Sequence, residues 1–227
     1  MGAVPAARFV TGPVADLHDY DRLRELGAAT VTVVDVVAAL VVLGSRQGPG
    51  TLRPGAFTGA VRRRRGGGGA VLTQPGDLWV DWWIPPTDPR WTGDVRRAAV
   101  AVGNWWRAAL APLVAGDVEV YDGPLEGAAA HRVACFAGRG PGEVFVDGRK
   151  AVGLTQWRVR EGTLVSSILP AHPSIALVAM LERAPAGLAA ALVHHTASTL
   201  GLGDARELEA ALVGAAGPST LRRLRLP

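Results

Sequence analysis

Lys150 is the one lysine among the 24 basic side chains of this 227-residue chain; the others are arginine. An ammonium is a compact point charge with three rotatable donors, suited to one carboxylate or phosphate oxygen at close range, whereas a guanidinium is a planar fork. This lysine lies within Gly148-Arg149-Lys150-Ala151-Val152-Gly153. A second segment, Arg62-Arg63-Arg64-Arg65-Gly66-Gly67-Gly68-Gly69, sets fixed positive charge beside bare backbone. Consecutive glycines let main-chain N–H groups approach a ligand without Cβ interference and form an anion-binding concavity. Arginines just before them can pair with carboxylate or phosphate. No Gly-Lys-Ser/Thr follows, so the run is not a nucleoside-triphosphate P-loop, and it does not open onto a helix as a dinucleotide fingerprint does. Read alone, it also fits a solvated flexible loop. The third reactive residue is Cys135, the only cysteine, which could serve as a nucleophile or as a small buried apolar side chain.

Other polar candidates carry less. His194 and His195 are adjacent, so on a helix they point about 100° apart and cannot form an i, i+4 metal pair. His18, His131 and His172 are scattered, and no cluster has metal-ligand spacing. Asp77 and Asp81 alternate with Trp79, with nothing to mark them as a general acid/base pair. Trp79, Trp82, Trp83, Trp105 and Trp106 fall at sheet and helix positions that favour core packing over a stacking platform. Arg222, Arg223 and Arg225 read as a solvated basic tail.

The elements that must position these residues follow from periodicity. Residues 15–26 read as a short helix with Asp16 near its start. Residues 30–34 and 39–43 are valine-rich strands, and 48–60 is a Gly/Pro loop. Residues 70–72 and 78–84 are further strands, the second closed by Pro85-Pro86. From Asp94, a plausible N-cap, to about 113 the apolar residues recur on one helical face. Residues 118–121, 131–136, 143–146, 151–159 and 163–169 alternate as strands. Asp147-Gly148 is a good tight-turn pair and Glu161-Gly162 a weaker one. After Pro173 three helical segments, near 174–182, 186–200 and 204–214, run to the end. The expected fold is α+β in one domain spanning 1–227: a mostly antiparallel mixed sheet flanked by helices.

Composition narrows the class. A net charge of +4 and basic residues not spread with aromatics along one face argue against nucleic-acid binding. One cysteine excludes an internal disulfide. The N-terminus lacks the charged and apolar regions of a signal peptide, and the apolar stretch 28–43, interrupted by Asp35, is too short for a membrane span. A cytoplasmic protein with no membrane partner is expected.

Taken together, the chemistry-bearing segments resemble the lipoate–protein ligase A family, within the biotin/lipoate protein ligase catalytic-domain superfamily. The resemblance rests on Arg63-Arg64 followed by Gly67-Gly68-Gly69-Ala70-Val71, then Pro75-Gly76-Asp77-Leu78. It continues through Gly142-Glu143-Val144 and Asp147-Gly148-Arg149-Lys150 with Gly153 and Gln156, and Gly44-Ser45-Arg46-Gln47 matches the strand end ahead of the arginine loop. It covers roughly residues 30–170. The resemblance implies a biotin/lipoate-ligase-like catalytic domain that moves a lipoyl or octanoyl group onto a lysine of an acceptor domain. That acceptor would be the lipoyl domain of a 2-oxoacid dehydrogenase or a glycine-cleavage H-type protein. ATP with Mg would activate the fatty acid as acyl-AMP. Gly67, Gly68 and Gly69, with Ala70 and Val71, would line the acyl tunnel, Arg63 and Arg64 would position the adenylate, and Gly153 would border it. Lys150 would stabilise the charge that grows as the acyl carbon becomes tetrahedral.

The chain departs from the family pattern. It reads Leu72-Thr73-Gln74-Pro75 where many members carry a His-Asp pair, and Leu164-Val165-Ser166-Ser167 where a His-Gly pair is common. It leaves no room for a C-terminal accessory domain, so a separate accessory subunit is one expectation. Another is a Cys135-dependent octanoyl or lipoyl transferase, since the superfamily includes cysteine-dependent members with a similar Cys-Phe segment that use a thioester donor. A third is a non-catalytic scaffold or binding subunit of a lipoylation system.

Overall fold

The computed structural model describes residues 14–197 and 205–226. The Met1-led segment, the end of the expected 186–200 helix and position 204 lie outside them. In chain order the elements are α1 (Tyr20–Arg24), β1 (Thr30–Val36), β2 (Leu40–Leu43), β3 (Ala60–Arg63), β4 (Val71–Thr73), β5 (Leu78–Ile84), α2 (Val95–Leu110) and β6 (Val118–Val120). There follow α3 (Ala128–His131), a 3-10 turn (Cys135–Ala137), β7 (Val144–Val146), β8 (Arg149–Val159), β9 (Gly162–Leu169), α4 (Ala176–Met180), α5 (Leu188–His195), α6 (Ala205–Ala215) and β10 (Thr220–Leu226).

Seven strands form the main sheet in the order β10-β1-β5-β9-β8-β7-β6, antiparallel except where β10 runs parallel to β1. A smaller sheet, β3-β2-β4, covers part of one face. The α+β architecture with a mostly antiparallel mixed sheet is as expected from the sequence.

Two-residue periodicity sorts β5 onto both faces. Val80, Trp82 and Ile84 join Val102 and Trp106 of α2 and Leu208 and Leu212 of α6 in one core. Trp79 faces the opposite core, with Leu40–Leu43, Val71 and Ile168, between the two sheets. Trp106 Nε1 donates to Ser167 Oγ at 2.9 Å, and that hydroxyl donates to Val80 O at 2.6 Å, whereas the buried indole N–H of Trp82 in the same core has no partner. Trp79, Trp82, Trp83 and Trp106 are buried, and Trp105 stacks obliquely on Trp82 at 5.3 Å between centroids. Asp94 caps α2 by accepting from Arg97 N. Asp147 and Gly148, with φ of 48° and 72°, make the β7–β8 turn.

Several expectations are corrected. Residues 131–136 are not a strand: α3 and the 3-10 turn occupy this stretch, and only Ala134 bridges to Ala70. Its alternating pattern reflects a segment wedged between the glycine loop and β8. Arg222, Arg223 and Arg225 belong to β10, not to a solvated tail, because pairing with β1 satisfies backbone that a tail would leave to water. The first helix is only Tyr20–Arg24, capped by Asp19 three residues after Asp16, and so shorter than the expected 15–26. The β8–β9 hairpin turns at Arg160-Glu161, and Gly162 already pairs with Val159. Among the described residues no helix is long and apolar enough to cross a membrane.

Asp77, in the turn between β4 and β5, accepts from Gln74 N at 2.8 Å and Ala171 N at 2.7 Å. Burial outweighs these bonds and pushes its carboxyl up to about 6. The folded chain therefore retains a proton that the unfolded chain releases near pH 4. This contribution to stability falls as pH rises from about 4 to about 6 and is flat above. Asp77→Asn should remove that slope, changing the pH 4 to pH 6.5 stability difference by up to about 3 kcal/mol relative to the parent. Urea denaturation of both proteins at the two pH values measures it, and identical slopes would refute the assignment.

Candidate active site between the glycine loop and β8

The glycine loop is built around Arg64, which follows β3 and is only 5% exposed. Its Nε and Nη2 donate to Gly67 O at 3.1 and 2.9 Å, Nη2 also to Gly69 O at 2.7 Å, and Nη1 to Val42 O at 3.4 Å. Thr155 Oγ1 on β8 adds a bond to Gly67 O at 2.9 Å. The loop carbonyls are thus consumed from within. The amide N–H groups of Gly67, Gly68 and Gly69 have no acceptor among the described residues.

Two of these glycines are sterically required. Gly68 has φ +89°, and a Cβ on it would lie 3.0 Å from Arg64 Nη2. On Gly69 a Cβ would fall 2.4 Å from Ala134 N, closing the approach that lets Ala70 N donate to Val133 O and Cys135 N to Ala70 O. The 3-10 turn is thereby docked on the loop. The Arg63 backbone exchanges bonds with Ala15 and Leu17, and its side chain does not border the cleft.

A narrow apolar cleft, with about 30 Å³ of free volume, runs from this junction between the sheets. Val42, Val71, Trp79 and Ile168 supply its walls, Gly153 its open floor, and Arg64 and Cys135 border it at the loop. A side chain at Gly153 would meet the Phe136 ring at 3.1 Å.

Lys150 reaches the same region from behind. It is 1% exposed, with Nζ 2.5 Å from Glu143 Oε1, and it donates to Cys135 O at 2.8 Å and Gly138 O at 3.1 Å. Three N–H donors meet three acceptors, and the Phe136 ring lies 5.1 Å away. Glu143 Oε2 accepts from Gly140 N at 2.7 Å; burial pushes its carboxyl up while the ammonium pulls it back. The lysine and the glycine loop therefore converge on one short segment: Lys150 holds the Cys135 carbonyl, and Cys135 Sγ lies 4.0 Å from where a Gly68 Cβ would stand. Lys150 does not border the apolar cleft. It borders a separate cavity of about 350 Å³ with Glu126, Arg139 and Phe145.

Sequence reasoning passed over His131 and Glu143. His131 Nε2 is 3.6 Å from that same Gly68 point. Burial, then the Lys150 and Arg64 cations, lower its pKa to about 4, which keeps it neutral near pH 7. Its four-residue offset from Cys135 was the one available clue. His194 is exposed on α5, and among the described residues no three His, Cys, Asp or Glu side chains gather to hold a metal ion.

No protein-family model matches the chain, and no curated protein sequence does. Solved structures do. A bipartite lipoate protein ligase from Thermoplasma acidophilum, studied with its E2 lipoyl domain, superposes with TM-score 0.69 at 16% identity, covering 92% of this chain and 80% of that one. Lipoate-protein ligase A bound with ATP gives 0.66 at 16% identity, with 96% and 90% covered. A T. acidophilum protein with bound lipoic acid gives 0.62 at 16%, with 88% and 77% covered.

Removing the ammonium tests how far Lys150 is structural. Lys150→Met leaves a buried carboxyl without its cation and should cost about 3–5 kcal/mol, most of it recovered in Lys150→Met/Glu143→Gln. Urea unfolding of parent, single and double variants reads this; a single variant as stable as the parent would refute the tie. The chain has the catalytic-domain fold of the lipoate–protein ligases.

Proposed function

We propose that this protein is an acyltransferase of the lipoate–protein ligase type, placing a lipoyl or octanoyl group on a lysine of an acceptor domain. The observation that carries the reading is the apolar cleft ending at Arg64 and the glycine loop. An aliphatic chain entering along Val42, Val71, Trp79 and Ile168 would widen this narrow cleft and point its carboxyl toward Arg64, beside the loop that carries the unmatched glycine amides. Those amides suit an anion. The similar structures support the same cargo and partners: one carries lipoic acid, one ATP, and one is described with its E2 lipoyl domain.

ATP with Mg, when bound, supplies the adenylyl group that activates the carboxyl. This chain's residues do the rest. Gly67, Gly68 and Gly69 hold the anionic portion, with Arg64 fixing their orientation from behind. The acceptor amine attacks the acyl carbon; a C–N bond forms, the bond to the activating oxygen breaks, and the amine loses a proton. Lys150 stabilises the developing oxyanion. Two of its three partners are carbonyls of the Cys135–Gly138 stretch, so a small shift there frees two N–H donors. The acceptor is a lipoyl domain of a 2-oxoacid dehydrogenase or an H-type protein, and an accessory subunit assists activation.

A second reading is favoured by one observation: Cys135, not Lys150, borders the cleft. There the Cys135 thiol takes the acyl group from a thioester donor, forming a new C–S bond and releasing the donor thiol, before passing it to the acceptor lysine. No ATP is consumed.

Incubation with octanoate, ATP and labelled pyrophosphate should give isotope exchange under the first reading. Intact-mass analysis after exposure to octanoyl acceptor domain should give an adduct lost in Cys135→Ser under the second. In both, Lys150→Ala, corrected for its folded fraction, should lower transfer by about 10²–10³-fold. Tight acceptor binding with no exchange, adduct or transfer would leave a non-catalytic scaffold instead.

A further inference from the structure

Residues directly opposite on paired strands share a face of the sheet. The register aligns Thr155 with Ser166, Ser166 with Asp81, Asp81 with Thr32 and Thr32 with Arg222. A polar row thus crosses five strands on the site-bearing face. One pleat away the row is Gly153, Ile168, Trp79, Val34 and Leu224, which carries no polar side chain but the Trp79 indole.

Asp81 is the anomaly, a carboxyl 2% exposed in the middle of the otherwise apolar β5. Burying such a group is costly unless its valences are met. Oδ1 accepts from Trp79 Nε1 at 2.7 Å. Oδ2 stands 3.0 Å from His18 Nε2, yet the two are off the line of a hydrogen bond, and neither has another partner. The His18 side chain is itself only 7% exposed.

His18 and Asp81 line a chamber of about 200 Å³ that opens to solvent. Leu17, Leu23, Leu164 and Leu224 give it apolar walls. At its border stand Arg22 and Arg222, neither with a carboxylate in ion-pair range among the described residues, whereas Arg223 is engaged by Asp35 and Glu209. The other carboxylate there, Asp19, accepts from the Arg22 amide as the cap of α1. A crevice of only about 10 Å³ shares Leu17, His18 and Leu164 with this chamber, and Arg64, Thr155 and Ser166 with the acyl cleft. The three spaces follow the polar row.

We propose that the chamber is a second small-molecule site, for a short aliphatic carboxylate bearing a hydrogen-bonding group at its other end. The carboxylate meets Arg22 and Arg222, the chain lies on the four leucines, and the far group completes the valences of His18 and Asp81. Only the assignment of the cleft as a separate acyl site rests on the acyltransferase reading.

The test is calorimetric titration of the full chain with 6-hydroxyhexanoate, with hexanoate and inorganic phosphate as comparisons. Binding should weaken about tenfold or more in Arg22→Gln/Arg222→Gln, two positions outside the core, and persist in Gly153→Leu, which fills the cleft. Hexanoate should bind more weakly than the hydroxy acid. Affinity untouched by the arginine replacements but lost in Gly153→Leu would place the ligand in the cleft and overturn the inference, leaving acyl transfer intact. Competition by phosphate as strong as by the acid would also overturn it, reducing the chamber to a bare cationic patch. Failure of acyl transfer with binding unchanged would count against the acyltransferase reading alone.

Discussion

The site depends on a buried guanidinium that makes its own neighbours. A cation with 5% exposure must find acceptors or be expelled, and Arg64 finds them in the carbonyls of the loop that immediately follows it. Desolvation presses its pKa down, so those bonds are what hold the charge in place. Turning the carbonyls of Gly67 and Gly69 inward is what leaves the loop amides unmatched. The same contacts tie the end of β2, through Val42 O, to the loop, so one side chain fixes both a wall of the cleft and its polar end. No other residue type would do this: lysine has one nitrogen where three are used.

A second cation completes the frame from the opposite side. The Cys135–Ala137 turn is held by Lys150 through the Cys135 carbonyl and by Ala70 through the Cys135 amide. Two segments far apart along the chain meet there because the Lys150 side chain of β8 reaches the turn that the glycine loop docks on one face of the sheet, while the other face is filled by the α2 and α6 core. Packing and chemistry are thereby separated across a single layer of strands. Substitutions within the Trp82–Trp106 core act on stability first; those around Arg64 act on the shape of the cleft.

Much of this was legible. β5, α2 and the Asp147-Gly148 turn carry strong local signals, in runs of apolar residues, a capped 3.6-residue period and a pair suited to positive φ. The glycine run and the lone lysine were visible as chemistry without reference to any fold. What could not be read was long-range. Residues 131–136 alternate like a strand because they are half-buried between two neighbours, and burial pattern alone does not distinguish that from sheet pairing. β10 looked like a basic tail because an edge strand keeps polar side chains, and its partner β1 lies almost two hundred residues earlier. The pairing of Lys150 with Glu143, and the approach of His18 to Asp81, are written only in the tertiary contacts.

The electrostatics of the junction follow from these ties. Glu143 offsets Lys150 at 2.5 Å, and His131 is kept neutral by burial beside both cations. Arg64 is then the charge left uncancelled where the cleft meets the loop, and its own hydrogen bonds are spent on carbonyls. A ligand arriving there meets a positive field and amide donors, but few free side-chain hydrogens. Such an end favours charge that grows on an oxygen or a sulfur during reaction over charge already solvated before binding, since preorganised dipoles need not reorient as the charge appears. The acyl-adenylate and thioester routes proposed above would both develop that charge beside Arg64, so an acyl adduct on Cys135, not the shape of the cleft, is what separates them.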